Sequence, residues 1–155
     1  MQNTNEWPNE RFDEATTSIP GDLLSAYRNT HYRVPTPAGT QTLMIGCHSP
    51  WAAELLASHC APGAAFLTAW NPYSEALDAA ANAVAQGSLI KAVDALGHAS
   101  LPGEGVDPTG DWPGEASLLI IGITLAQACD LGRQFKQNAF VYIGPDATPE
   151  LILLR

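Results

Sequence analysis

Residues 64–70 read AAFLTAW, and the turn-forming stretch NPYS at 71–74 follows them directly. A short apolar run that ends at turn residues is typical of a β-strand covered on both faces. We therefore predict a central buried strand at 64–70, followed by a long alanine-rich helix from about Glu75 to Leu96. Gly87, in the middle of that helix, marks either a weak point or a place of close packing.

Periodicity and capping signals on either side of this strand predict the other elements. The expected strands are 31–36, 41–46, 64–70, 118–122, 138–143 and 150–154. The expected helices are 20–29, 49–58, 75–96 and one that begins at the capping box Thr124–Gln127. This order predicts one α+β domain over 19–155, with a single mixed sheet of about six strands, helices packed on it and a C-terminal β-hairpin. Residues 1–18 are expected to form a flexible acidic tail, in which Trp7 and Phe12 are the apolar side chains that could dock on the domain or on a partner.

Charge and composition exclude several classes of protein. The 155 residues contain 16 acids and 7 bases, which gives a net charge of −9. The bases do not cluster, so we expect neither nucleic-acid binding nor binding to an anionic membrane. No apolar run has the length of a membrane span, the N-terminus lacks a signal-peptide pattern, and three cysteines do not form a disulfide framework. We therefore expect a cytoplasmic protein, either monomer or homodimer.

Motifs for metals and cofactors are weak or missing. Cys47-His48 and His59-Cys60 contain four zinc-type ligands, but a helix of about 15 Å separates the two pairs, whereas zinc needs its ligands about 2.0–2.3 Å away. Cys47 is a weak candidate nucleophile, because its neighbour His48 points to a different face at a strand end, and Cys129 is better explained by packing in a helix. Motifs for dinucleotides, phosphate loops and common hydrolases are also missing from the sequence. No metal and no cofactor are therefore expected.

The stretch Leu101–Glu115 carries several acids and no base, and it predicts a long loop. Loops of this length are uncommon unless they are functional or disordered, so a pocket lid and a plain solvated loop both remain open. Glu115 then enters an apolar neighbourhood, where burial would raise its pKa and suit it to acid–base catalysis. The alternative is an edge carboxylate bonded to main-chain N–H groups or to Arg28 or Arg33.

Polar residues also stand at the ends of the apolar strands. Asn71 and Ser74 follow the central strand, where they could cap the next helix or contact a ligand. Gln137 and Asn138 lie between a helix and a strand, where they could satisfy the carbonyl groups of the helix end or a ligand. Capping is the simpler explanation in both places, and it does not exclude a ligand beside the cap.

Five motifs in this order resemble the bacterial family called domain of unknown function 3293, over residues 22–155. They are Ala26-Tyr27-x-x-Thr30-x-Tyr32, Leu67-Thr68-Ala69-x-Asn71-Pro72, Asn82, Trp112-x-x-Glu115-x-Ser117 and Gly132-x-x-Phe135-x-Gln137-Asn138-Ala139. The resemblance implies one domain and brings no established activity, substrate or cofactor. It also implies a set of polar positions that could converge on one pocket or serve as caps, namely Tyr27, Thr30, Tyr32, Thr68, Asn71, Asn82, Glu115, Ser117 and Gln137.

The leading functional hypothesis is a small polar molecule bound in a pocket at the strand ends. The expected ligand-binding residues are Tyr27, Thr30, Tyr32, Thr68, Asn71, Ser74, Asn82, Trp112, Ser117 and Gln137. Trp70, Tyr73 or Trp112 would supply flat apolar walls. One alternative is a hydrolase or lyase with Glu115 as general acid or base. Another is a protein-interaction module that uses the tail or the edge strand 151–154.

Overall fold

The computed structural model describes residues 12–155, and four α-helices pack there on one seven-stranded sheet. The helices are α1 (Gly21–Asn29), α2 (Pro50–Ser58), α3 (Ala79–Leu96) and α4 (Leu125–Gln134). The strands are β1 (His31–Thr36), β2 (Gly39–Leu43), β3 (Ala64–Leu67), β4 (Ala99–Val106), β5 (Glu115–Ile121), β6 (Ala139–Ile143) and β7 (Pro149–Leu153). None of the helices in this part of the chain is long and apolar enough to cross a membrane.

The strand order in the curled sheet is β2-β1-β4-β5-β3-β6-β7. The predicted α+β class, the single sheet with packed helices and the C-terminal hairpin are confirmed. The sheet has seven strands where about six were predicted. The predicted mixed sheet was wrong, because every strand pair is antiparallel. The additional strand is β4, which forms a long antiparallel pair with β5 and so removes the need for a parallel crossover there.

Strand β4 lies in the segment that the sequence predicted to be a loop. Its residues include Pro102, Gly103 and Gly105, types that are depleted in strands. Packing explains one of these glycines: a Cβ atom at Gly103 would lie 2.7 Å from Cε2 of Phe66 and 2.8 Å from the carbonyl oxygen of Arg33. The glycine therefore makes room for an aromatic ring against the sheet, and this tertiary requirement overrides strand propensity.

The hydrophobic core occupies both faces of the sheet, so β3 is buried on both faces as predicted. Alternate residues point to opposite sides of a strand. Ala65 and Leu67 accordingly join the core cluster formed with α3 and α4, whereas Phe66 joins the cluster formed with α2. A third, smaller cluster connects α1 to β7 through Leu24 and Leu153.

Local capping signals place two helix starts correctly and misplace a third. The Ser49 hydroxyl accepts the Ala52 N–H at 3.1 Å, and Thr124 forms the predicted capping box at the start of α4. Helix α3 instead begins at Ala79 with Asp78 as its cap, so the predicted start at Glu75 and the capping roles of Asn71 and Ser74 were wrong. Since β3 also ends at Leu67 rather than at residue 70, an irregular segment, 68–78, connects the two elements.

Part of the predicted tail contacts the domain. Residues 1–11, including Trp7, lie outside the described residues. The Phe12 N–H donates to the carbonyl of Leu153 at 3.2 Å, and the Thr17 hydroxyl donates to the carbonyl of Arg155. Residues 12–17 therefore run beside the edge strand β7.

Candidate functional site

A cavity of about 430 Å³ lies between α1, the irregular segment 68–78, the loop before β5 and the sheet. All eleven side chains that the sequence singled out as site residues line it: Tyr27, Thr30, Tyr32, Thr68, Asn71, Ser74, Asn82, Trp112, Glu115, Ser117 and Gln137. They come from distant parts of the chain, and the sheet brings them together. Their convergence is a fact of the fold, whereas their binding of a guest stays a prediction.

The strand register explains the position of one row of these residues. Glu115 on β5 pairs with Gly105 on β4, and Gly105 pairs with Tyr32 on β1. Directly paired residues point to the same face of a sheet. Because Gly105 has no side chain, space opens between the Glu115 carboxyl and the Tyr32 ring, and a Cβ atom at Gly105 would approach only the Thr30 methyl group, at 3.6 Å.

Asn71 is the centre of a hydrogen-bond network in the cavity wall. Its Oδ1 accepts from the Leu77 N–H at 3.0 Å and from Nδ2 of Asn82 at 2.9 Å. Its own N–H donates to Oδ1 of Asn82 at 2.9 Å. Asn82 is 2% exposed, so this pair of amides is a buried polar link between α3 and segment 68–78.

The side-chain nitrogen of Asn71 extends this network to Glu115. Nδ2 of Asn71 donates to Oε1 of Glu115 at 2.9 Å. Burial raises the pKa of Glu115, and the hydrogen bond from Asn71 opposes this rise. The predicted alternative of a bond to Arg28 or Arg33 was wrong, because Arg28 pairs with Glu14 and Arg33 follows Tyr32 on β1 and points to the opposite face of the sheet.

Four hydroxyl groups of the wall donate to main-chain carbonyls. Thr30 donates to Ala26 at 2.7 Å, Tyr32 to Tyr27 at 2.7 Å, Thr68 to Ala116 at 2.7 Å and Ser117 to Glu115 at 3.0 Å. These bonds fix the orientation of the side chains and satisfy their protons. A hydroxyl oxygen that donates its proton can still accept a hydrogen bond, so these groups keep acceptor capacity for a ligand.

A second polar cluster lies beside Gln137. The hydroxyls of Tyr27 and Ser74 are 2.6 Å apart, and Nδ2 of Asn138 donates to both at 3.1 Å. The Arg155 guanidinium donates to Oδ1 of Asn138 at 3.0 Å and lies over the Tyr73 ring at 4.3 Å from its centroid. Tyr73 is 42% exposed and does not line the cavity, so its predicted role as a cavity wall was wrong.

The segment that carries Asn71 and Ser74 has an unusual backbone. The φ values of Asn71, Tyr73 and Ser74 are 46°, 53° and 61°. They lie in the left-handed region that residues other than glycine seldom adopt. Such conformations cost on the order of 1–3 kcal/mol each and persist only where the surroundings hold them. The Asn71–Asn82 link and the Ser74–Asn138 contact supply that support.

Trp70 and Gln137 in the cavity wall also keep unused hydrogen-bonding capacity. Trp70 lines the cavity, and its indole N–H is buried without a partner in the described part of the chain. Gln137 is 8% exposed, and its Nε2 donates to the carbonyls of Trp70 at 3.1 Å and Phe135 at 3.2 Å. The predicted satisfaction of a helix-end carbonyl by Gln137 is thus confirmed, and the side-chain oxygen of Gln137 has no bond within residues 12–155.

Sequence reasoning missed most of the apolar lining. The cavity also contacts Leu23, Phe66, Ala76, Leu77, Gly105, Pro113, Ala139, Phe140, Val141 and Leu151. Alternation along β3 could have placed Phe66 opposite Ala65 and Leu67. The role of Gly105 depended on recognising β4. The predicted loop is real only between β4 and β5, where Asp107 accepts from Thr109 and Asp111, and its end contributes Trp112 and Pro113 to the wall.

The cysteine–histidine pairs lie elsewhere. Cys47 and His48 line a separate concavity before α2, and His59 and Cys60 follow that helix. Within residues 12–155, no group of three or more His, Cys, Asp and Glu side chains could hold a metal ion. Cys129 is buried in the core cluster with α4, which agrees with its expected packing role.

Residues 67–140 match a family model described as "Protein of unknown function (DUF3293)". The predicted resemblance is confirmed. The match covers just under half of the chain, from the end of β3 to the start of β6. It includes the motifs around Asn71, Asn82, Glu115 and Gln137, whereas the motif around Tyr27 lies outside it. No curated protein and no solved structure matches the chain significantly.

Proposed function

We propose that the DUF3293-like domain binds a small polar molecule in this cavity. The observation that carries the proposal is the convergence of eleven predicted polar or aromatic positions on one concavity of about 430 Å³. Ligand pockets combine a mostly apolar lining with a few polar groups, and their volumes are typically about 300–1,000 Å³. Both properties apply to this cavity.

The hydrogen bonds within the wall support binding rather than oppose it. Asn71 and Gln137 are held by other protein groups, so their remaining hydrogen-bonding atoms would meet a ligand in fixed positions, without a large entropic cost on binding. The indole N–H of Trp70, another residue that lines the cavity, is buried without a partner in the described part of the chain, and such an unsatisfied donor is uncommon in a folded protein.

A plugged cavity gives the most direct test. In Gly105→Leu the new side chain would extend into the space beside Tyr32, while its Cβ would meet only the Thr30 methyl group. The matched control is Gly21→Leu, because Gly21 is exposed at the start of α1 and nothing lies within 4 Å of its Cβ position. Thermal-shift screening with amines, polyols, nucleosides and carboxylic acids should find compounds that stabilise wild type and Gly21→Leu but not Gly105→Leu. Failure to find any stabilising compound, or equal stabilisation of Gly105→Leu, would contradict the proposal.

A second candidate function is hydrolysis or elimination with Glu115 as general acid or base. It is favoured by the position of Glu115 in the cavity wall, where burial raises the pKa of the carboxyl towards the range useful for proton transfer. If a compound identified in the screen is turned over, Glu115→Gln should abolish turnover with little loss of binding. Unchanged turnover in that variant would eliminate this candidate. The interaction-module hypothesis stays a prediction, which deletion of the predicted tail and measurement of the oligomer mass would test.

A further inference from the structure

We infer that the guest is an organic cation, with an ammonium or guanidinium group beside Glu115 and an apolar body among the aromatic rings. This inference rests on the proposed binding function and specifies its ligand class. Glu115 is the one acidic side chain that lines the cavity among the described residues, and no Lys, Arg or His lines it there. An ionised Glu115 therefore gives the described cavity wall a negative charge that no basic side chain of the wall balances.

The bonding of Glu115 leaves an opening for a donor. Oε1 accepts from Asn71, and the other oxygen has no hydrogen-bond partner within residues 12–155. A partly buried carboxylate without a counter-charge is costly, and an oppositely charged, hydrogen-bonded partner removes much of that cost. The raised pKa of Glu115 reflects this cost. A cationic guest would supply the charge that the protein does not.

The space next to this carboxyl suits such a guest. Gly105 leaves room between Glu115 and Tyr32, and both residues belong to the row defined by the strand register. Six aromatic side chains line the cavity: Tyr27, Tyr32, Phe66, Trp70, Trp112 and Phe140. Cations are attracted to aromatic faces, and the interaction strengthens when water is excluded.

An anionic guest fits poorly. Phosphates and carboxylates are usually recognised by Arg or Lys or by a helix N-terminus. Arg155 reaches the cavity only indirectly, because its guanidinium contacts Asn138 and the Tyr73 ring. The overall charge of −9 would also steer cations towards the protein and repel anions, an effect that a test must separate from local recognition.

Three probes of matched shape separate the ligand classes: 2-phenylethylammonium, 2-phenylethanol and phenylacetate. They differ mainly in the charge of the terminal group. Titration calorimetry on wild-type protein near neutral pH should give the tightest binding for the ammonium probe. Its advantage over phenylacetate should be about tenfold to a hundredfold, the range expected from a hydrogen bond to a charged group. This comparison requires no variant.

Two matched variants then test whether the Glu115 carboxylate causes the preference for the ammonium probe. Glu115→Gln keeps an acceptor for Asn71 but removes the negative charge, so the ammonium probe should bind about tenfold more weakly while 2-phenylethanol is unaffected. Glu54→Gln makes the same change at an exposed site on α2 and should leave all three affinities unchanged.

The possible failures are distinguishable. If 2-phenylethanol or phenylacetate binds as tightly as the ammonium probe, the cation inference is overturned and the binding function stands. If the cation preference persists in Glu115→Gln, it comes from the net charge and the inference is again overturned. If none of the three probes binds and the wider screen with Gly105→Leu is also negative, the binding function itself fails.

Discussion

Removal of the buried Asn82 amide should destabilise the cavity wall strongly. Asn82→Ala eliminates two bonds of 2.9 Å, from the Asn71 N–H and to Oδ1 of Asn71, and a longer contact of 3.4 Å to the carbonyl of Leu77. A buried polar group left without a partner costs about 1–3 kcal/mol. Water can replace part of this bonding because Asn71 is half-buried, so we expect a loss of about 2–4 kcal/mol in the free energy of unfolding.

Urea unfolding monitored by tryptophan fluorescence measures this loss. The control is Ser88→Ala on the exposed side of the same helix, which should change the free energy of unfolding by less than about 0.5 kcal/mol. Amide hydrogen exchange adds a local readout, since the N–H groups of Asn71 and Leu77 should lose protection in Asn82→Ala. A loss below 1 kcal/mol, with unchanged protection of both amides, would refute the idea that this network holds segment 68–78.

Three further predictions follow from glycine packing and from the Glu115 carboxyl. Gly87→Ala should raise the free energy of unfolding by about 0.5–1 kcal/mol in urea, because the helix gains propensity and nothing lies within 4 Å of the new Cβ; a loss would mean that the site is a packing contact. Gly103→Ala should lower the free energy of unfolding by about 1–3 kcal/mol and lower Tm, because the new Cβ would clash with the Phe66 ring. An unchanged Tm would contradict the packing of β4 described above. Burial raises the pKa of Glu115, so the native state binds this proton more tightly than the unfolded state, and ionisation of the carboxyl should reduce stability as pH rises from the ordinary glutamate pKa to the native one. Urea unfolding as a function of pH should therefore show that the free energy of unfolding of Glu115→Gln increases relative to wild type as pH rises through that window, with a constant difference below it. A decrease of this difference with rising pH would show that the native state favours the charged carboxylate.

Much of the fold could be predicted because its signals are local. The apolar runs at 64–67 and 118–121, the cap at Ser49 and the capping box at Thr124 act within a few residues, and each was located from sequence. Strand β4 could not be predicted in this way. Its glycines and proline oppose strand formation locally, and only the ring of Phe66 and the pairing with β1 and β5 explain them.

The candidate site was predicted through its motifs rather than through its geometry. The polar positions that the sequence singled out line one cavity, but the partners that hold them were not predicted. The Asn71–Asn82–Glu115 network connects residues up to 44 positions apart, and the Asn138–Tyr27 bond spans 111. Pairs so distant depend on strand register and on the path of segment 68–78, which no local pattern encodes.

An NMR titration with the most stabilising compound of the screen tests the central claim most directly. The ¹⁵N-labelled protein offers reporters on three residues that line the cavity, namely the amides of Gly105 and Ser117 and the indole N–H of Trp70. Binding in the cavity should produce saturable shifts of these three signals with one common Kd. Saturable shifts confined to other surfaces, with these three signals unmoved, would contradict it.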